Sequence, residues 1–324
     1  MQKIYLDNAA TTQPLDECNK VYLQYAQELW QNPSALYADA TRVQKMVDDA
    51  KAVLLQAFGT AGHKCLFTSC GTESANTVIL RGARQKKDMH YVCGGAEHPC
   101  VEESFRYLQE QGHPVTFIQP DRHGLITPIQ VSQAVTEHTA LVSIMHVNNE
   151  TGAKNAIEKI AAAVKAKNPQ ALFHSDGVQA FGKERIANTT NIDYYTVSAH
   201  KLHAHKGTGA IFYKNNSPLK PFLMGGGQEN GLRSGTQNTL GIFSFATAVQ
   251  YFMKNVKHSH YERLKDVFLS ICAKIPDVVL LTPAEQENAC AHIVNVSLLG
   301  IRGETLLHML EARGICISTG SACS

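Results

Sequence analysis

Residues 194–209 read YYTVSAHKLHAHKGTG, and they are the most informative stretch of the chain. A short apolar strand, Tyr194–Ser198, runs directly into a polar turn that holds His200 and Lys201, and glycines follow. Lysine at the end of a buried strand is unusual, because lysine is rarely buried unless it is paired or used chemically. A desolvated lysine can form a Schiff base, and a surface lysine in a loop is the alternative interpretation.

Other apolar runs of strand length accompany this strand along the chain. Several are too apolar to have a solvated face, which is typical of a buried parallel sheet. Helical patterns lie between them, for example Ser74–Arg84, Cys100–Gln111 and Ile157–Lys167. This alternation predicts an α/β layered fold, in which ligands bind at the carboxyl ends of the strands. The strand candidates are Lys64–Thr68, His90–Cys93, Val115–Ile118, Ala140–His146, Ala171–His174, Tyr194–Ser198 and Gly209–Tyr213.

The composition changes after about residue 248. A long helical stretch, Gln250–Ala273, is predicted to cross from one domain to the next. The elements expected after it are a strand (His292–Leu298), a helix (Glu304–Arg313) and a strand (Ile315–Ser318). A small second α/β unit is therefore expected, and it ends in a glycine-containing loop, residues 319–324.

Composition excludes several classes of function. The 324 residues include 30 basic and 28 acidic side chains, so the net charge of +2 gives no electrostatic case for nucleic acid or an anionic membrane as partner. Hydrophobic residues make up 44% of the chain, which excludes intrinsic disorder. No run is long enough to span a membrane, and the start, MQKIYLDNAATT, does not resemble a signal peptide. We therefore expect a cytoplasmic protein.

Two further segments combine a strand end with polar groups. Residues 67–76, FTSCGTESAN, place the Thr72 hydroxyl and backbone N–H groups where they could hold a phosphate, although this segment alone favours ordinary N-capping. In residues 172–179, LFHSDGVQ, Asp176 could pair with a protonated ring nitrogen of a cofactor, with a helix cap or turn as the alternative. A Schiff-base lysine, a phosphate turn and a ring-nitrogen aspartate are together what pyridoxal phosphate requires.

Three other patterns are discounted. Residues 177–184 fit G-x-x-x-x-G-K but end in Glu184, whereas a Walker A loop needs Ser or Thr there for Mg²⁺. The run Gly225–Gly231 misses the G-x-G-x-x-G spacing of a dinucleotide site. The histidines of residues 200–205 resemble metal ligands, but no carboxylate or cysteine completes a set nearby, so no metal site is predicted.

The nine cysteines are interpreted by their surroundings. Cys323 lies in the Ser/Gly/Ala loop at the end of the sequence, and a cysteine exposed in a mobile loop can react. Cys65, Cys93, Cys272 and Cys316 occur in apolar runs and are expected in the core. Because the number is odd, C-x-x-C is absent and the expected compartment is reducing, structural disulfides and a cysteine zinc site are not expected.

Six motifs, in this order along the chain, resemble those of the cysteine desulfurases of the NifS/IscS type in the class-V aminotransferase family. They are TSCGTES (68–74), AEH (96–98), SIMHVNNE (143–150), SAHK (198–201), RSGT (233–236) and STGSAC (318–323). The resemblance covers nearly the whole chain. It implies a fold-type I pyridoxal-phosphate transferase with a mostly parallel seven-stranded sheet in a large domain, residues 13–250, and a smaller α/β domain, residues 1–12 and 251–324.

The resemblance also implies how pyridoxal 5′-phosphate is bound. Lys201 would hold it covalently and move protons, and Asp176 would pair with the pyridinium nitrogen. Gln179 would hydrogen-bond the phenolic oxygen, and Asn149 would lie between that oxygen and the substrate carboxylate. His98 would stack on the ring and serve in acid–base steps. The residues implied around the phosphate are Gly71, Thr72, Ser198, His200 and, in the neighbouring subunit of a homodimer, Thr236.

The activity that the resemblance implies is conversion of L-cysteine to L-alanine. Cys323 would attack the substrate sulfur and become a persulfide, and a flexible Gly/Ser loop suits a thiol that must enter the site and leave it. The sulfur would pass to an iron–sulfur scaffold or another sulfur-acceptor protein, and Cys323 could transiently ligate a cluster.

One departure from the family keeps alternatives open. Relatives continue for several dozen residues beyond the cysteine loop and carry an arginine that grips the substrate carboxylate, and no residue of this sequence is assigned to that arginine. The alternatives are another enzyme of the superfamily, such as a selenocysteine or cysteine-sulfinate lyase or an aminotransferase, and an inactive partner that only docks to sulfur-transfer proteins. The Cys323 loop argues against an aminotransferase, which needs no mobile thiol.

Overall fold

The computed structural model of the chain describes residues 3–59, 62–83 and 88–320. Strands and helices alternate through most of this part of the chain. The strands are β1 (Ile4–Tyr5), β2 (His63–Thr68), β3 (His90–Gly94), β4 (Val115–Ile118), β5 (Thr139–Ser143), β6 (Leu172–Asp176), β7 (Tyr194–Ser198), β8 (Gly209–Lys214), β9 (Val278–Leu280), β10 (Val296–Leu298) and β11 (Ile315–Cys316). The α-helices are α1 (Asp16–Glu28), α2 (Ala38–Phe58), α3 (Gly71–Arg81), α4 (Pro99–Glu110), α5 (Pro128–Ala134), α6 (Ile157–Lys167), α7 (Thr239–Asn255), α8 (His258–Cys272) and α9 (Gly303–Glu311).

The central sheet has seven strands in the order β2-β8-β7-β6-β5-β3-β4. Only β8 runs against its neighbours, so the other six strands point their carboxyl ends at one edge. The predicted α/β fold with a mostly parallel seven-stranded sheet is confirmed. All seven strand candidates belong to this sheet, although the prediction Ala140–His146 extended three residues beyond the end of β5.

Helices cover both faces of the sheet, and alternate residues of each strand face opposite layers. Phe67, Tyr195 and Phe212 pack among residues of α1, α2, α6 and α7. Their sequence neighbours Leu66, Tyr194 and Ile211 pack among residues of α3 and α4. Each fully buried side chain of this size stabilises the fold by about 1.5–3 kcal/mol relative to an exposed one. This two-sided burial explains why the strands read as continuous apolar runs.

The continuous helix predicted over Gln250–Ala273 is wrong. Helix α7 ends at Asn255, and Val256 and Lys257 have extended backbones with ψ angles of 125° and 118° before α8 begins. The Val256 N–H still bonds the Phe252 carbonyl oxygen at 3.2 Å and so closes α7. Both helices are amphipathic and no glycine or proline marks the break, so the apolar pattern runs on across it.

The elements beyond α7 form two small pairings. β9 and β10 are antiparallel, and β10 is shorter than the predicted His292–Leu298 because only three residues find partners on β9. β1 pairs in parallel with β11, which brings the amino-terminal residues beside the last described strand. The division into residues 13–250 and residues 1–12 with 251–324 stays a prediction. Cys65 and Cys93 are buried as expected, but Cys272 and Cys316 are partly exposed, because α8 and β11 have no second layer over them among the described residues.

Candidate active site

A cavity of about 280 Å³ opens at the edge of the sheet where the parallel strands end. Segments that follow β2, β3, β5, β6 and β7 supply its walls, as expected for a ligand site in an α/β fold. Nine of the residues implied by the resemblance line it, namely Gly71, Thr72, His98, Asn149, Asp176, Gln179, Ser198, His200 and Lys201.

One end of the cavity is suited to an anion. Helix α3 begins at Gly71 directly after β2, and its first-turn N–H groups and dipole favour negative charge. A Cβ added at Gly71 would lie 3.0 Å from Val178 Cγ2, so glycine keeps this approach open. The Ser198 hydroxyl lies at the end of β7, and although it is buried it has no hydrogen-bond partner among the residues that the structure describes. The N-cap of α3 is Cys70, whose sulfur accepts from the Glu73 N–H.

Lys201 follows β7 in the short 3₁₀ turn Ala199–Lys201, and only 6% of the residue is exposed. Its amine donates hydrogen bonds to the carbonyl oxygens of Ala9 and Ala10, the latter at 2.8 Å. A buried amine held by two carbonyls, with a buried carboxylate in the same cavity, is the environment of a lysine used for chemistry rather than of a surface loop.

Asp176 is the last residue of β6 and is buried. Burial raises the pKa of this carboxyl, while the Val178 N–H, which donates to it at 2.9 Å, and the charges of His98 and Lys201 act in the opposite direction. A buried carboxylate of this kind is stabilised most by a cationic partner within the cavity.

Gln179 is held from one side only. Its side-chain nitrogen donates to the Ala9 carbonyl at 2.9 Å, and its buried side-chain oxygen has no partner in the described part of the chain. A buried acceptor without a donor costs free energy unless a ligand supplies the hydrogen bond. The Ala9 carbonyl oxygen therefore accepts hydrogen bonds from both Gln179 and Lys201, and it links these two cavity side chains to the amino-terminal segment.

His98 is the N-cap of α4, and its Nδ1 accepts a hydrogen bond from the Cys100 N–H at 3.2 Å. The Cys100 sulfur also lies 3.0 Å from Nδ1. Burial lowers the pKa of His98 and Lys201 lowers it further, while the carboxyls of Asp176 and Glu150 oppose that shift.

His200 is tied to the amino-terminal segment. Its Nδ1 lies 3.0 Å from the Thr11 hydroxyl, and its carbonyl oxygen accepts from the N–H and the hydroxyl of Thr12. Burial, together with the nearby Lys201, lowers the pKa of His200 to about 4, so its ring is neutral at neutral pH. His203 and His205 bond to Gln13 and Ser244 instead, and the three histidines do not converge on one point.

Thr236 is a residue implied by the resemblance that the structure does not bring to the cavity. Thr236 is exposed and lies outside the cavity lining, in a loop that Arg233 ties to α3 through paired hydrogen bonds to Glu73. Cys323 lies outside the described residues.

Sequence reasoning missed several residues of the site. The carbonyls of Ala9 and Ala10 gave no signal, because a backbone group has no sequence signature. Cys70 and Cys100 could have been found, since each neighbours a predicted site residue, Gly71 or His98. The other cavity residues that were not predicted are Met145, Val147 and Val178.

These residues fit pyridoxal phosphate at each of its polar groups. The phosphate corresponds to the start of α3 with the partnerless Ser198 hydroxyl, the ring nitrogen to Asp176, and the phenolic oxygen to the region of Gln179. The aldehyde carbon requires an amine, and Lys201 supplies one. The fit rests on two oxygens of the cavity lining, on Gln179 and Ser198, which are buried and have no partner within the described ranges.

The fold and this cavity define an α/β protein with a buried lysine at the carboxyl edge of its sheet. Residues 4–324 match the family described as aminotransferase class-V, and the chain belongs to that family. The chain is 35% identical over 330 residues to a protein of Clostridium botulinum named cysteine desulfurase IscS, covering 100% of this chain and 82% of the relative. The resemblance to cysteine desulfurases of the NifS/IscS type is thereby confirmed.

Solved structures agree with the sequence match. A structure described as a NifS-like protein superposes with a TM-score of 0.93 at 32% identity, covering 98% of this chain and 88% of the other. A second, titled SspA in complex with cysteine, has a TM-score of 0.84 at 29% identity and covers 99% of this chain and 90% of the other.

The described ranges lack the features of a membrane-spanning or metal-binding protein. No helix there has the length and apolar character needed to cross a membrane. Within the same ranges no group of three or more histidine, cysteine or acidic side chains is placed to hold a metal ion. The eight cysteines that the structure describes are free thiols.

Proposed function

We propose that this chain is a pyridoxal 5′-phosphate-dependent cysteine desulfurase, which converts L-cysteine to L-alanine and retains the sulfur for transfer. One observation carries the proposal: Lys201, Asp176 and the start of α3 share a single cavity, and its buried oxygens on Gln179 and Ser198 lack partners among the described residues. The relative named cysteine desulfurase and the neighbour titled as a cysteine complex support the choice of substrate.

The proposed binding roles follow from the chemistry of each wall. Gly71, Thr72, Ser198 and His200 hold the phosphate, with His200 as a neutral ring. Two other cavity residues bind polar atoms of the ring: Asp176 holds a proton on the ring nitrogen, and Gln179 binds the phenolic oxygen. Asn149 lies between that oxygen and the substrate carboxylate, and His98 stacks on the ring. When bound, pyridoxal phosphate supplies an electron sink for a carbanion at the substrate Cα.

Lys201 has two tasks in this proposal. Its amine attaches the cofactor, and once released it moves the proton at the substrate Cα, because a lysine amine in the cavity lining can act as a base there. The carbonyls of Ala9 and Ala10 hold Nζ in place before attachment. Attachment leaves Nζ with at most one hydrogen, so at least one of the two carbonyls must give up its hydrogen bond, and the amino-terminal segment is part of the machinery that positions the amine.

Cys323 is proposed as the sulfur acceptor within the chain. Its thiolate would form an S–S bond to the substrate sulfur while the C–S bond of the substrate breaks. The electron pair of the broken bond would stay with the carbon that becomes the L-alanine methyl group, and this carbon would take up one proton, which balances the proton lost by the Cys323 thiol. The persulfide would then transfer its outer sulfur to an iron–sulfur scaffold or another acceptor protein. Thr236 is proposed to contact the phosphate in a second copy of the chain, so a homodimer is the expected working form.

The test is an assay of the full chain with pyridoxal phosphate and L-cysteine. We expect equimolar alanine and, with dithiothreitol present, sulfide. Cys323→Ala should retain cofactor binding and lose sulfide release, and Cys272→Ala on α8 is the matched control that should keep both. Sulfide production that survives Cys323→Ala would contradict the persulfide step.

A wild-type chain that binds the cofactor and makes neither product would instead support the alternative of an inactive docking partner. A chain that releases selenide from selenocysteine but no sulfide from cysteine would point to a lyase of the same superfamily.

A further inference from the structure

The peptide unit that joins Asp176 to Gly177 is held from two sides. The Asp176 carbonyl oxygen, at the end of β6, accepts a hydrogen bond from the His146 N–H at 2.9 Å. The Gly177 N–H donates to the Thr196 carbonyl oxygen on β7, also at 2.9 Å. Because both groups belong to one peptide unit, a displacement of residue 177 is transmitted directly to the backbone that carries the Asp176 carboxyl.

Gly177 lies against the ring of Tyr195 on the neighbouring strand β7. A Cβ added at Gly177 would overlap Cζ, Cε1 and the hydroxyl oxygen of Tyr195. This approach is much closer than the one at Gly71, where the added Cβ would lie 3.0 Å from its nearest neighbour. Glycine is therefore required at position 177 as long as the Tyr195 ring keeps its place.

The surroundings of Tyr195 keep the ring in that place. Tyr195 is fully buried, and its ring centroid lies 5.0 Å from that of Phe58 and 6.4 Å from that of Phe212. At the tip of the ring, the hydroxyl oxygen lies 2.9 Å from His146 Nδ1. Protein interiors are close-packed, so the ring has no space into which it could retreat from a larger residue at position 177.

His146 connects the ring to the backbone of Asp176. Its backbone N–H bonds the Asp176 carbonyl oxygen, and its side chain bonds the Tyr195 hydroxyl. Burial, together with the charge of Lys154, lowers the pKa of His146 to about 3, and burial raises the pKa of Tyr195. Both side chains are therefore neutral at neutral pH, and their hydrogen bond acts on the position of Asp176 without adding a charge beside its carboxyl.

We propose that Tyr195, through its contact with Gly177 and its bond to His146, is a positioning residue that fixes Asp176 opposite the ring nitrogen of the bound cofactor. The inference deepens the proposed function and rests on it for the presence of pyridoxal phosphate. Groups that bind a ligand must be held within about 0.5 Å of their productive geometry, and packing behind them is what provides this precision.

The proposal differs from a purely structural role of the ring in which ligand contacts it affects. The phosphate contacts proposed at the start of α3 lie on another element of the fold and do not depend on the peptide after Asp176. A displaced Asp176 should therefore weaken binding through the ring nitrogen alone. A ring that only stabilised the fold would affect every ligand of the cavity alike.

The test is a titration of the full chain, followed by visible absorbance, with two probes: pyridoxal phosphate and its analogue with C–H in place of the ring nitrogen. Gly177→Ala should weaken binding of pyridoxal phosphate by about tenfold or more and binding of the analogue by less than about threefold. Gly303→Ala on α9 is the matched control and should bind both probes like the wild type, because its added Cβ lies 3.1 Å from Thr319 Cγ2 and far less crowded than at Gly177.

A double-mutant cycle assigns the effect to the ring. In a Tyr195→Leu background, the further change Gly177→Ala should cost less than about threefold in affinity for pyridoxal phosphate, because the overlapping atoms are gone. A tenfold loss that persists in this background would show that the Tyr195 ring does not act through Gly177. Equal losses for the two probes, or wild-type affinity in Gly177→Ala, would also overturn the proposal.

Tyr195→Phe is the second variant and decides the question if Gly177→Ala does not fold. It keeps the ring and removes the hydroxyl that bonds His146, so we expect about threefold weaker binding of pyridoxal phosphate and unchanged binding of the analogue. Unchanged binding of both probes would overturn the role of this hydrogen bond. A wild-type chain that binds neither probe would refute the proposed function itself, whereas wild-type binding with variants that bind equally well would refute only the positioning role.

Discussion

Helices α7 and α8 follow each other directly in the chain and yet differ sharply in how they are packed. Helix α7 buries ten of its residues against the sheet and against α1 and α2, whereas α8 buries none. On α8, Leu264, Val267 and Phe268 are each 44% exposed or more. The same contrast holds between the sheet lobe, defined as β2–β8 with α1–α7, and the C-terminal part, residues 258–320, where α9 also buries no residue.

The difference shows where the site obtains its rigidity. Nearly all cavity residues sit at strand or helix ends of the sheet lobe, where two buried layers fix the backbone. Segments with few buried apolar contacts open at lower free energy than the core. The C-terminal part should therefore loosen first, and the cofactor cavity should outlast it.

The largest expected effect is the loss of covalent cofactor attachment in a chain that still folds. Lys201→Ala should abolish covalent attachment of pyridoxal phosphate, because it removes the one lysine amine that the described residues supply to the cavity lining. The matched variant in the C-terminal part is Lys274→Ala, which alters an exposed side chain and should keep the attachment. The measurement is visible absorbance after borohydride reduction and gel filtration. Colour retained by Lys201→Ala would refute the assignment of the attachment site.

The next largest effect concerns stability. Phe212 is fully buried on β8 and stacks on Phe58, with ring centroids 4.6 Å apart, and Phe212→Ala should cost about 3–5 kcal/mol of the free energy of unfolding. Phe268→Ala on α8 removes the same group from a side chain that is 44% exposed and should cost less than half as much. Urea denaturation compares them. Equal losses would mean that the two regions are equally well packed in solution.

These packing differences also explain what the sequence could predict about the fold. The seven sheet strands were located within a few residues, because two-sided burial leaves an unbroken apolar run. The break between α7 and α8 was not found. Helical periodicity reports which side of a helix is apolar, but Val256 and Lys257 carry no sign that the backbone becomes extended.

The candidate active site was also predictable only in part. Its side chains were predictable because Lys201, Asp176 and the Gly71 turn belong to motifs at strand ends. The hydrogen bonds from Lys201 and Gln179 to the Ala9 carbonyl were not, since they join positions about 170 or more residues apart through a backbone atom. Long-range contacts of this kind depend on the folded topology and leave no local pattern.

Acid should weaken the sheet lobe selectively. Burial lowers the pKa of His174 to about 3, and the ring bonds Ser143 and Thr196 within the sheet. The unfolded chain takes up a proton near pH 6.5 and the folded chain does not, so stability is complete above pH 6.5 and falls as the pH drops towards 3. One such histidine contributes up to about 1.4 kcal/mol per pH unit in that range.

The variant His174→Gln should therefore lose stability less steeply than the wild type between pH 6.5 and 5.5. His308→Gln, at an exposed position on α9, is the control and should follow the wild-type slope. Parallel slopes for wild type and His174→Gln would mean that the ring is protonated in the folded state.

The smallest effect compares the helix caps of the two regions. In the sheet lobe, α5 begins with a capping box in which the Thr127 hydroxyl accepts from the Gln130 N–H and the Gln130 side chain accepts from the Thr127 N–H. In the C-terminal part, the N-cap residue of α8 is Lys257, whose side chain makes no capping hydrogen bond. Thr127→Ala should cost about 1 kcal/mol of global stability, since α5 packs against α6 within the lobe.

Lys257→Ser should stabilise α8 by a similar amount, because the extended backbone of Lys257 is already that of an N-cap and serine adds the acceptor. If the C-terminal part opens before the lobe unfolds, this gain will appear as about fivefold slower hydrogen exchange in α8 with little change in the urea midpoint. A gain in global stability equal to the loss in Thr127→Ala would show instead that the two regions unfold as one cooperative unit.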